Sequence, residues 1–81
     1  MDNRVAMVSI IVENRESVDK LNSILHAYRE YIIGRMGIPY EKKNVSVISI
    51  ALDAPTDTIN ALAGKLGNIE GVHSNTVYSN I

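Results

Sequence analysis

Hydrophobic positions along the chain fall into blocks of two periods. Between Arg4 and Glu13, the residues Val5, Met7, Val8, Ile10, Ile11 and Val12 are branched or bulky, the content of a β-strand. Asn14-Arg15-Glu16-Ser17 is polar and turn-like. Val18, Leu21, Leu25 and Tyr28 then recur at helical spacing, with Ile24 widening the stripe. Asp19, Asn22, Ser23, His26, Arg29 and Glu30 take the opposite, polar face. Ser17 is placed to cap this helix, and Asp19 suits its positive end. Tyr31 to Ile38 reads as a short second strand carrying Gly34 and Gly37, so an edge position, a bulge or a close backbone approach is expected there. Pro39 to Asn44 is a charged connection. Val45 to Leu52 is a third strand, which Asp53-Ala54-Pro55-Thr56 should break. Thr56 or Asp57 would cap a second helix striped by Ile59, Leu62, Ala63 and Leu66, and Gly67 suits its left-handed end. A turn over Asn68 to Gly71 leads to a last strand, Val72 to Tyr78.

The order is β-α-β-β-α-β in two similar halves, the split βαβ pattern of ferredoxin-like α+β folds. One domain over residues 1–81 is expected, with a four-stranded antiparallel sheet. Right-handed crossovers place both helices on one face of it. That face takes Ala6, Val8, Ile10 and Val12 from the first strand, and Ile48, Ile50 and Leu52 from the third. The other face then carries Val5, Met7, Ser9 and Ile11 beside Val45, Val47, Ser49 and Ala51. Such a face is too apolar for solvent, where alternation should have placed charge. It marks an interface, with Val5, Met7, Ile11, Val45 and Val47 as its candidate residues. A homodimer or a dimer of dimers is the expected partner arrangement, and it would help a small core reach adequate stability.

Composition narrows the chemistry. Eight Lys+Arg against nine Asp+Glu leave a net charge of −1, no electrostatic footprint for nucleic acid or an anionic membrane. The absence of Cys removes disulfides, iron–sulfur clusters and thiolate metal sites. Without Phe or Trp, and with four Tyr, the chain has few platforms on which bases could stack. No run approaches the ~18 apolar residues of a membrane span. A soluble cytoplasmic domain is expected, with no direct contact to nucleic acid or membrane.

No sequence motif for a nucleophile, a phosphate loop or a metal site is present, so neither catalysis nor a cofactor is expected. His26 and His73 stand alone in the sequence, and only across copies in an oligomer could they be pooled on a metal. Two places could hold a small ligand. Asn14 and Arg15 lie where a strand end meets a helix N-terminus with free N–H groups, a natural anion site or a simple cap. Gly34, Arg35 and Gly37 would let a backbone approach closely while the guanidinium reaches a carboxylate or phosphate, or else form an edge strand with a solvent arginine.

Ile33-Gly34-Arg35-Met36-Gly37-Ile38-Pro39, Val47-Ile48-Ser49-Ile50, Ala63-Gly64-Lys65-Leu66-Gly67 and Gly71-Val72 together resemble the small iron-only hydrogenase system regulators, of the ACT-like group. The resemblance covers nearly the whole chain. It implies the βαββαβ fold, oligomers built from sheet contacts and a regulatory role. ACT domains commonly bind small effectors between copies, near the turn after the first strand, which would place Asn14 and Arg15 at a ligand with Gly34 or Arg35 from a neighbour. Asn14-Arg15-Glu16-Ser17 replaces the Asp-x-x-Gly turn of the amino-acid-binding members. The chain is also similar in outline to the C-terminal domain of nickel-responsive repressors, but Ser46, Val47, Ser49 and Ala51 stand on the third strand where that group has histidine ligands. The expected function is a small-molecule-responsive oligomeric regulatory module of a hydrogenase system, without a DNA-binding segment of its own, so that any role in transcription runs through a partner or an unrecognised surface. The alternative is an oligomerisation or protein-interaction module with no ligand.

Overall fold

The computed structural model describes residues 3–80. Strand β1 (Asn3–Val12) leads to helix α1 (Ser17–Ala27), a single 3-10 turn (Arg29–Tyr31) and strand β2 (Ile32–Tyr40). Strand β3 (Val45–Pro55), helix α2 (Thr56–Gly67) and strand β4 (Val72–Tyr78) complete the βαββαβ order. The sheet is antiparallel with strand order β2-β3-β1-β4. This is the ferredoxin-like α+β fold read from the periodicity.

Alternation sorts the strands as expected. Ala6, Val8, Ile10 and Val12 are buried beside Ile48, Ile50 and Leu52, and Leu21, Leu25, Ile59, Leu62 and Leu66 close the core from the helices. Burying each large aliphatic side chain contributes about 1.5–3 kcal/mol, the main term holding so small a fold together.

Five local expectations are corrected. β3 does not break at Asp53: it continues to Pro55 because Val5, Arg4 and Asn3 pair with Asp53, Ala54 and Pro55. β2 likewise runs through Pro39 to Tyr40, which an edge strand tolerates because proline's missing N–H can face away from the ladder. Ser17 does not cap α1. Its hydroxyl donates instead to the Glu70 carbonyl at 2.6 Å, while the Asn14 Oδ1 accepts the Glu16 N–H at 3.0 Å. The cap position of α2 falls on Pro55 rather than Thr56 or Asp57, with no side-chain cap bond. Gly67 ends α2 without a left-handed backbone; the glycine with positive φ is Gly71, at +76°.

The second half closes onto the first at one end of the sheet. Glu13 N–H donates to the Gly71 carbonyl at 2.7 Å, and Ser17 reaches Glu70 beside it. The turn between β1 and α1 is thereby fixed against the turn between α2 and β4. At the hairpin joining β2 to β3, Asn44 adopts a φ of 56°, a left-handed conformation that asparagine accepts readily. A register shift between Ile32 and Gly34 interrupts β2 opposite β3, the bulge that the glycine-bearing strand suggested.

Candidate functional site

The helix-free face of the sheet follows from register. Met7 pairs with Ala51 and Val77, Ser9 with Ser49 and Asn75, and Ile11 with Val47 and His73. On the far edge Gly34, Met36, Ile38 and Tyr40 stand opposite Ala51, Ser49, Val47 and Val45. The face is therefore apolar across all four strands: Val5, Met7, Ile11, Met36, Ile38, Tyr40 and Val77 are exposed. Ionisable groups on it sit toward the ends, at Asp53, Glu13 and His73. His73 Nε2 lies 2.7 Å from Glu13 Oε1 at this rim, both side chains more than half exposed.

The face is not flat. The small Ser9–Ser49 pair sits between larger neighbours and floors a trough of about 510 Å³ bounded by Ile11, Met36, Val47, His73 and Asn75. Of the interface candidates read from sequence, Val5, Met7 and Ile11 are exposed here, and Val45 and Val47 are half-buried. Met36, Ile38, Tyr40 and Val77 belong to the same face and escaped that reading. Period-two spacing from Gly34 was the available signal for Met36 and Ile38, and from Ile11's partner His73 for Val77; only Tyr40 lay beyond the expected end of β2.

The ligand candidates separate into two places. Asn14 and Arg15 lie at the β1–α1 turn, where local bonds occupy much of the backbone: Ser17 N–H donates to the Asn14 carbonyl and Val18 N–H to the Arg15 carbonyl, at 2.9 and 3.2 Å. Arg35 lies on β2, opposite Ile50 and thus on the helix side of the sheet. Register puts Asn14 roughly 20 Å along the strands and 10 Å across them from Arg35. One chain does not bring the two together.

Arg35 instead meets α1. Its Nη2 donates to Asn22 Oδ1 at 2.7 Å, a bridge over the seam between helix and edge strand. The bridge divides the seam into two hollows. One, of about 120 Å³, lies by Gly37 and Pro39. The other, of about 410 Å³, is lined by Asn22, Leu25, His26, Arg29, Ile32 and Arg35. Gly37 comes no nearer than ordinary contact with Ile48, and a methyl group at Gly34 would meet open space. His26 borders the seam while His73 stands on the opposite side of the sheet, so the two histidines are apart within a chain. Among the described residues no three His, Cys, Asp or Glu side chains are grouped to hold a metal ion. No helix among them is long and apolar enough to cross a membrane.

Comparison with known proteins agrees with this architecture. The uncharacterized protein TM1266 from Thermotoga maritima is similar at 36% identity, with a TM-score of 0.91 over 95% of this chain and 98% of its own. A formyltetrahydrofolate deformylase from Pseudomonas putida KT2440 shares the fold alone: 12% identity and a TM-score of 0.68, over 95% of this chain and 29% of that one. Among curated proteins none matches. The sequence pattern of the TM1266-like family, described as a proposed iron-only hydrogenase system regulator, matches residues 4–76, and the chain belongs to that family.

Proposed function

We propose that this chain is a cytoplasmic, non-catalytic regulatory module that works as an oligomer of face-to-face sheets and responds to a small-molecule effector. The observation that carries the reading is the apolar face spanning all four strands, with Val5, Met7, Ile11, Met36, Ile38, Tyr40 and Val77 open to solvent in the single chain. Interface cores are depleted of charge and rich in apolar, aromatic and methionine side chains, and this face has that composition. Its few ionisable groups at the ends would form the polar rim. Strand spacing and rise give a face of roughly 20 by 25 Å, the low end of what a stable interface needs, which suits assemblies that a ligand can shift.

A second copy is the occupant we assign to the face. Association by this face would bring Asn14 and Arg15 of one copy toward Gly34 of another, while Arg35 and Gly37 lie on the helix side of each chain. An effector binding two arrangements with different affinity would then change assembly by that difference. Regulation through a protein partner fits the near-neutral charge and the small stock of aromatic side chains.

Native mass spectrometry of the purified protein, before and after mild denaturation, tests this reading. An oligomer whose mass depends on a bound small molecule is expected. A monomer at micromolar concentration overturns the oligomeric module. An oligomer whose mass no small molecule alters turns the reading into an interaction module without an effector.

A further inference from the structure

The larger hollow beside α1 has a chemistry that the apolar face does not share. Asn22, His26 and Arg29 follow one another at i, i+4 and i+7, so one stripe of α1 and the turn after it carries all three. Arg35 approaches from β2 across the seam. No carboxylate lines the hollow, and among the described residues neither guanidinium has an acidic side chain within ion-pair distance. Each is held instead by a neutral acceptor: Arg35 by Asn22 Oδ1 at 2.7 Å, and Arg29 by the His26 carbonyl at 3.0 Å. These bonds orient the guanidiniums and use one donor contact apiece. Each fork keeps most of its N–H donors for another partner. Leu25 and Ile32 provide an apolar wall.

Two oriented guanidiniums, an imidazole and a carboxamide around an apolar wall form a recognition surface for an oxyanion. We propose that this hollow binds a small organic anion through its carboxylate or phosphate group, with Arg29 and Arg35 as the charged clamp, Asn22 holding Arg35 in place and His26 at the border. The planar fork suits either oxyanion, because both present two oxygens at matching spacing. A hollow of about 410 Å³ has room for more than a bare ion, with Leu25 and Ile32 beside it to take a carbon body. The proposal names the ligand class of the effector reading and rests on that reading for its purpose, though binding at the hollow does not require it.

The test is amide chemical-shift titration of the labelled protein with three probes at matched ionic strength: inorganic phosphate, inorganic pyrophosphate and succinate. Saturable shifts confined to Asn22, His26, Arg29, Ile32 and Arg35 are expected with at least one probe. Losing one charge-assisted contact should weaken that binding about tenfold to a hundredfold in R29A and in R35A. In R35K, which keeps the charge and loses the fork, the binding should be intermediate. Which probes saturate separates a phosphate ligand from a carboxylate one. Shifts that merely track ionic strength, or that R29A and R35A leave unchanged, overturn the site. Oligomer mass measured in the same samples separates the two readings. Saturation with unaltered mass upholds the site and overturns effector-controlled assembly.

Discussion

Gly71 lies so close to Asn14 that a Cβ built on the glycine would stand 2.7 Å from the asparagine Cβ, and its φ of +76° disfavours any other residue. Crowding and backbone conformation therefore act together where the two halves of the chain meet. Gly71→Ala should cost about 1–3 kcal/mol, the range for a residue forced into a sparsely populated conformation. Urea unfolding measures it, and an unchanged midpoint would show that the turn moves aside freely.

Ser17 is buried, with its hydroxyl 2.6 Å from the Glu70 carbonyl across the fold. Ser17→Ala removes that bond and should cost about 1 kcal/mol. For a domain of this size that is a fall of roughly 4–8 °C in Tm. Asn14→Ala tests the other half of the arrangement, since Asn14 and not Ser17 accepts the helix-entry N–H. Thermal unfolding of both variants and the double variant shows whether the two bonds act independently.

Ile50 is fully buried on a central strand. Ile50→Ala should cost about 2–5 kcal/mol through lost transfer energy and a residual cavity. A domain of this length holds only about 4–12 kcal/mol in all. Urea unfolding should therefore show a markedly lower midpoint, and an unchanged midpoint would show that the surrounding core closes the gap.

Val47 stands between Ile38 and Ile11 on the helix-free face. Val47→Glu would bury an unpaired charge in the proposed interface at a cost of about 3–5 kcal/mol, weakening association at least a hundredfold. Light scattering across a dilution series reads the shift directly. Folding of the separate chain should survive because the position is on the surface of the sheet. An oligomer of unaltered mass and dissociation constant would refute the face as the contact.

Much of the architecture was legible because alternation and helical spacing are local. Val72–Tyr78 was bounded to the residue, and the buried sets of β1 and β3 followed from parity alone. What escaped was set by partners distant in sequence. Asp53-Ala54-Pro55 has the composition of a break and is held extended by Asn3, Arg4 and Val5. Ser17 has the chemistry of a cap, yet a carbonyl far along the chain takes its hydroxyl. Gly67 has the place of a left-handed helix end, yet the positive φ falls on Gly71, where the chain packs against Asn14. Arg35 was a visible candidate, whereas Asn22, His26 and Arg29 looked like a solvated helix face. Their common stripe was there to be read, but nothing local says that it borders β2.

Strand β2 lies at one margin of the sheet, and the shift between Ile32 and Gly34 together with Pro39 leaves no long, regular run of free backbone donors along it. A margin interrupted at both ends is a poor template for adding another chain strand by strand. Growth by such addition would have no natural stopping point. Because open-ended growth needs both margins of the sheet to pair, the irregular β2 margin works against polymerisation into fibres.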